Sequence, residues 1–221
     1  MMQKVTFIFG TRPEVIKLAP LILILRKNAN IAVEVCTTGQ HKEMLKNVLD
    51  VFEIEPDIDL ALMSHNQELS EFTAKSIVGL NKYLKNSQPT YVIVQGDTST
   101  VLAASLAAFY NQRKILHVEA GLRTSNLYSP FPEEMNRRLT TQLTFHHFAP
   151  TERAKTNLLH EGVDNAKITV TGNTSIDSLL YVSEMIKRGN LQPEISPSLR
   201  SKLSQYPKMV LITGHRRENF G

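Results

Sequence analysis

The 221-residue sequence lacks most of what would mark a membrane, disulfide-bonded or metal-binding protein. It has no run of eighteen or more apolar residues, which excludes a conventional transmembrane helix. Cys36 is its one cysteine, so no intrachain disulfide framework can form. The opening stretch, MMQKVTFIFGTRPE, carries one lysine and a short apolar run. That is too short for a secretory signal and reads as a buried first strand, so the cytoplasm is the default location. Neither H-E-x-x-H nor C-x-x-C occurs. His146 and His147 are adjacent in TFHHFAP, where a strand turns neighbours to opposite faces, so they cannot share a metal and none is expected. The fingerprint G-x-G-x-x-G and the P-loop pattern G-x-x-x-x-G-K-[ST] are both missing, which disfavours a dinucleotide, and no cofactor is expected. Lys and Arg outnumber Asp and Glu by 25 to 21, a net charge of +4. The cations are scattered, without a basic stripe or interleaved aromatics, so the balance suits an anionic small ligand better than nucleic acid.

What is present is an alternation. With 42% hydrophobic and 21% charged residues, the chain can bury a sizeable core. Apolar runs rich in Val and Ile (KVTFIF, IAVEVCTT, YVIVQ, KILHVEA, TFHHFAP, KITVTG) are separated by helical stretches. These cover 13–28, 41–52, 68–85, 99–111, 133–142 and 151–162. Such spacing predicts parallel βαβ units and a doubly wound, Rossmann-like α/β sheet, whose ligands bind beyond the carboxyl ends of the strands. A further helix, SIDSLLYVSEMIKRG, follows the turn TGN, where Gly172 and Asn173 read as a turn or hinge. A proline-bearing connector with one short helix comes next, then a strand, MVLIT. The closing VLITGHRRE echoes VTFIFGTRPE at the front. The expected division is therefore an N-terminal Rossmann-like domain over 1–171 and the incomplete start of a second over 172–221.

Candidate chemistry follows the strands. In GTRPE, Thr11 and Glu14 have capping-box spacing and Pro13 stands at a helix start. The free N–H groups of that terminus suit a phosphate, with Arg12 and Lys17 adding charge; a well-capped helix with two solvated cations is the alternative. Asp97 in QGDTST is either a helix N-cap or a carboxylate at the mouth of a cleft. Glu119 in HVEAGLRT is partly desolvated between apolar neighbours, or else paired with Arg123 or His117. Gly121 allows close backbone approach. In SPFPEEMNRR, Glu133 and Arg137, and Glu134 and Arg138, stand four apart on a helix, while Pro130 and Pro132 stiffen the approach. Cys36 reads as core. Three acids (Asp97, Glu119, Glu133) without a metal suggest general acid–base work, and the cations Arg12, Lys17, His215 and Arg216 suggest a phosphorylated ligand.

The motifs GTRPEVIKLAPL, GQHKEML, VQGDTSTVLAASLAAFY, HVEAGLRTSNLYSPFPEEMNRRLT, TGNTSIDSLL and TGHRRENFG together closely resemble the bacterial non-hydrolysing UDP-N-acetylglucosamine 2-epimerases. The resemblance implies a GT-B-type fold of two Rossmann-like domains with the ligand between them. It implies interconversion of UDP-N-acetylglucosamine and UDP-N-acetylmannosamine for surface polysaccharide synthesis, without a cofactor, in a homodimer. By motif it makes Asp97, Glu119 and Glu133 the acid–base set, Arg12 and Lys17 ligand-binding residues and His215 a substrate contact. It also makes Gln40 and His41 part of a regulatory UDP-sugar site, although Glu43 and Asn66 stand where some members have Gln and Arg. Against a family of two full domains the chain reads as an N-terminal portion with little or no activity alone. Rival readings are a GT-B glycosyltransferase, a hydrolysing epimerase, or a non-catalytic fragment that binds a sugar nucleotide.

Overall fold

In the computed structural model of the protein, residues 2–39, 42–64, 67–124 and 126–212 are described, except for the side chains of 42–44. The first strand, β1 (Gln3–Phe9), is the opening apolar run of the sequence and is an interior strand of the sheet. Its alternation sorts side chains to two faces. Phe7 and Phe9 join one core cluster, and Ile8 joins the other. All three are fully buried, each worth roughly 1.5–3 kcal/mol as an upper estimate.

The first face is covered by α1 (Arg12–Arg26) and α2 (Lys42–Val51), which enclose β1 and β2 (Ile31–Thr37) with Val15, Leu18, Ile22 and Leu49. The second face is covered by α3 (Leu69–Ser87) and α4 (Ser99–Tyr110). The small residues Ala103, Ala104, Ala107 and Ala108 let α4 lie close on β4 (Tyr91–Gln95) and β5 (Lys114–Val118). A third cluster, Ala120, Ala149, Ala154, Leu158 and Ile168, joins α6 (Glu152–His160) to β6 (His146–Ala149) and β7 (Ile168–Val170). The helix α5 (Glu133–Leu143) precedes β6.

Seven parallel strands run in the order β3-β2-β1-β4-β5-β6-β7, where β3 is the two-residue strand Ile58–Asp59. The chain winds outward from β1 in one direction, then returns to start β4 on its other side, pairing Val5 with Tyr91 and Phe7 with Ile93. That reversal between β1 and β4 is the switch point at which doubly wound sheets open a crevice.

Helix α7 (Thr174–Lys187) begins after Gly172, which has φ +81°, and Asn173, whose side chain accepts from the Ser175 amide. It docks through a defect in α1. Pro20 lies inside that helix and has no N–H to give the Ile16 carbonyl, so the Ser178 hydroxyl donates to Ile16 O instead. Tyr181 stacks on Phe52 beside this contact, with ring centroids 5.6 Å apart.

The chain divides into two compact units, 1–183 and 184–221. In the second, α8 (Pro197–Ser204) starts at Ser196, whose hydroxyl accepts from the Leu199 amide. The strand expected for MVLIT is not formed in its described part. Residues 209–212 pair with no described strand and are exposed, because among the described residues of that unit no strand edge offers its N–H and C=O groups.

Candidate active site

The two loops flanking the switch point are GTRPE, after β1, and GDTST, after β4. In the first, the Glu14 carboxylate reaches back to the Thr11 N–H at 2.7 Å, as the capping-box spacing predicts. Arg12 is exposed at the start of α1 and makes no ion pair with another described residue. Lys17, one turn further, turns inward and its Nζ meets Glu119 Oε2 at 2.5 Å.

Glu119 follows β5 in a left-handed conformation, φ +64°. A non-glycine residue pays roughly 1 kcal/mol or more for this, so the surroundings must hold it. No described donor beyond the Lys17 ammonium serves its enclosed Oε2. The expected alternatives, pairing with Arg123 or with His117, are both absent. Arg123 instead forms a two-pronged bond to Glu161, 2.6 Å on each arm, and donates to Thr141. His117 is fully buried and its Nε2–H donates to Gly96 O at 2.7 Å. Gly121 lies against protein: a Cβ there would stand 2.3 Å from the Ala154 carbonyl oxygen of α6.

Asp97 is not the cap of α4. Thr98 is, accepting from the Val101 N–H at 3.2 Å. That leaves the Asp97 carboxylate free to enter the crevice, where it meets Arg137 at 2.9 Å. Burial is the main cause that raises its pKa above the ordinary aspartate range. Arg137 opposes the rise, Glu133 and Glu119 add to it, and Lys17 opposes it weakly. All four side chains therefore act on Asp97 within one shared field.

Glu133 opens α5 after the cis bonds Ser129–Pro130 and Phe131–Pro132. The expected pair between the Glu133 and Arg137 side chains does not form. Arg137 reaches only the Glu133 backbone oxygen, at 3.4 Å, because its guanidinium is committed to Asp97 and lies 3.6 Å from Glu134. The pair Glu134–Arg138 is made, at 2.8 Å. Glu134 is fully buried; its two arginines and the Thr124 N–H hold its pKa below the usual carboxylate value against the opposing effect of burial.

Asn136, and Arg137 in a role beyond a helix partner of Glu133, are candidate site residues that spacing alone does not mark. Their signal was inverted amphipathicity. In EEMNRRLTTQL the polar residues Glu134, Asn136, Arg137, Thr140 and Thr141 are buried, while Met135 and Leu139 are 40% and 45% exposed. A helix that hides its polar face has something polar to hold. Cys36 is buried in the core. Gln40, His41, Asn66, His215 and Arg216, with the side chain of Glu43, lie outside the described residues. Among the described residues no three His, Cys, Asp or Glu side chains cluster as metal ligands.

The fold and this crevice define one Rossmann-like unit of GT-B type. The sequence matches the UDP-N-acetylglucosamine 2-epimerase family over residues 24–221. The chain belongs to that family. It is 52% identical over 220 residues to a Salmonella borreze UDP-N-acetylglucosamine 2-epimerase, covering all of this chain and 58% of that protein. Among solved structures, S. aureus MnaA with UDP superimposes with a TM-score of 0.86 at 45% identity, over 100% of this chain and 56% of that one. The Neisseria meningitidis UDP-GlcNAc 2-epimerase bound to UDP-GlcNAc superimposes at 0.82 and 50% identity, over 92% and 53%. The chain thus spans a little over half the length of these relatives.

Proposed function

We propose that the protein containing this chain interconverts UDP-N-acetylglucosamine and UDP-N-acetylmannosamine, by removing and re-adding UDP across carbons 1 and 2. The hydrogen on carbon 2 of a resting sugar is too weakly acidic for a carboxylate. As UDP leaves carbon 1, oxocarbenium character acidifies that hydrogen. A carboxylate takes the proton, the pair of electrons closes the C1–C2 double bond, and 2-acetamidoglucal and UDP remain. Return of UDP to carbon 1, with a proton delivered to the opposite face of carbon 2, gives the epimer. Two faces need two proton carriers, and Asp97, Glu119 and Glu133 are the candidates. Lys17 and Arg12 act on the diphosphate, and stabilising that leaving charge is commonly the largest effect of such a site.

The observation that carries the reading is the setting of Asp97. Its carboxyl is pushed towards its protonated form by burial and by two other acids, yet is held by Arg137. Such a group sits where it can both take and return a proton. His215 serves as a substrate contact, Gln40 and His41 as part of a regulatory UDP-sugar site, and residues 172–221 as the opening of a second Rossmann-like domain. The full-length protein works in the cytoplasm as a homodimer, and the 221-residue chain by itself turns over little or no substrate. No described helix is long and apolar enough to cross a membrane. The test is NMR of UDP-N-acetylglucosamine in deuterated water with the full-length protein. Deuterium at carbon 2 accompanying UDP-N-acetylmannosamine formation is expected; epimerisation without deuterium excludes the elimination route, and transfer that requires an acceptor makes the protein a glycosyltransferase.

A further inference from the structure

Three consecutive residues of the GDTST loop are each held by a buried or largely buried polar side chain from a different element. The Gly96 carbonyl accepts from His117 Nε2–H of β5 at 2.7 Å. The Asp97 carbonyl accepts from Asn136 Nδ2–H of α5 at 3.0 Å. The Thr98 hydroxyl donates to Glu14 Oε1 of α1 at 2.9 Å. The third of these ties reaches furthest. Glu14 Oε2 accepts from the Gly10 N–H at 3.0 Å, and from the Thr11 N–H and the Thr11 hydroxyl at 2.7 Å each. One carboxyl therefore gathers both loops of the switch point, with the GTRPE loop on one oxygen and the GDTST loop on the other.

Capping alone does not account for this. A capping box needs one oxygen on the N-cap amide and leaves the other free for water. Here the second oxygen faces inward to a residue 84 positions away, and Glu14 is 1% exposed. Burying a carboxylate with no described cation beside it is costly and tends to hold the proton on, as the raised pKa of Glu14 reflects. The Thr98 hydroxyl is committed as well, since its lone pair caps α4 while its proton goes to Glu14.

We infer that Glu14 is a positioning residue that fixes the loop bearing Arg12, and Lys17 one turn on, against the loop bearing Asp97. The cations that meet the leaving diphosphate and the acid that handles the carbon 2 proton then keep a set separation. This deepens the epimerase reading and rests on it for the roles of Arg12, Lys17 and Asp97. Glu14 is 1% exposed and acts through Gly10, Thr11 and Thr98, not on the ligand itself.

The test uses Thr98→Val, near in shape but unable to reach Glu14, with Glu14→Ala, the double variant and Thr98→Ser. In the full-length protein, Thr98→Val lowers kcat about 10- to 100-fold while KM stays within about threefold, the pattern of a misplaced reacting group. Thr98→Ser, which keeps the hydroxyl, recovers most of the turnover. The double variant loses less than the two single losses combined, because the Glu14–Thr98 link is removed only once. In the 221-residue chain, the NMR signals of the Asp97 amide and carboxyl move in Glu14→Ala, which leaves the neighbours of Asp97 and the Thr98 cap of α4 unchanged. Folded Thr98→Val protein with wild-type kcat overturns the inference, as do unmoved Asp97 signals. If the wild-type full-length protein does not epimerise, the epimerase reading fails separately, and the Asp97 signals alone decide the link: moved supports it, unmoved overturns it.

Discussion

At the scale of single residues, the charges around Asp97 set expectations that kinetics can read. Arg137 is the main influence lowering the Asp97 pKa against burial and two neighbouring acids. Arg137→Met removes that influence, so Asp97 holds its proton to higher pH. The acidic limb of the full-length enzyme's kcat/KM profile should move to higher pH if Asp97 must be ionised in free enzyme. Gly121 gives a stability prediction. Its φ is +89° and a Cβ would stand 2.3 Å from the Ala154 carbonyl oxygen. Gly121→Ala should destabilise the chain by about 3 kcal/mol or more, read by chemical denaturation.

Two buried histidines make stability depend on pH. His117 and His147 pair across β5 and β6, and burial lowers their pKa values to about 4 and about 3 from 6.5. In the unfolded chain they take up protons near pH 6.5, and in the folded chain only below these lowered values. The unfolded state therefore binds more protons in between, and stability falls as pH falls from about 6.5 to about 4. For His117 the full loss is about 3 kcal/mol. Asp97 and Glu14, with raised pKa values, oppose the trend at its acidic end. His117→Gln, which can still donate to Gly96 O, should flatten the slope between pH 6.5 and 4.5 in denaturation curves; an unchanged slope contradicts the assignment.

At the scale of elements, what the sequence made legible was what repeats. Continuous Val and Ile runs between amphipathic stretches marked β1, β2 and β4 to β7, and the helices between them, within a residue or two. The strand β3 was missed because it is two residues long and no periodicity fits in it. MVLIT has the composition of a strand, and composition cannot supply a neighbouring edge. The acids after strands stood out by position. Their partners did not, because ion pairs such as Lys17–Glu119 and Arg137–Asp97 join residues far apart in the chain, whereas sequence spacing shows only pairs like Glu134–Arg138. The docking of α7 was equally hidden, although Pro20 was visible as a helix defect. Ser178→Ala should cost about 1–2 kcal/mol by leaving the Ile16 carbonyl without a donor. Pro20→Ala restores a backbone donor, so the same serine change in that background should cost less.

At the scale of the whole molecule, strand order determines which loops meet. Because β1 and β4 are neighbours, a loop near residue 11 and a loop near residue 97 share one crevice, and β5 delivers Glu119 beside them. The chain spans 58% of the Salmonella borreze relative, so turnover belongs to experiments on the full-length protein. The proposed chemistry has three carboxyls acting on one sugar. Its most direct test is kcat of full-length Asp97→Asn, Glu119→Gln and Glu133→Gln. Each is expected to fall by about 10²- to 10⁴-fold with the protein still folded. Wild-type turnover in any one of the three would contradict the shared acid–base role.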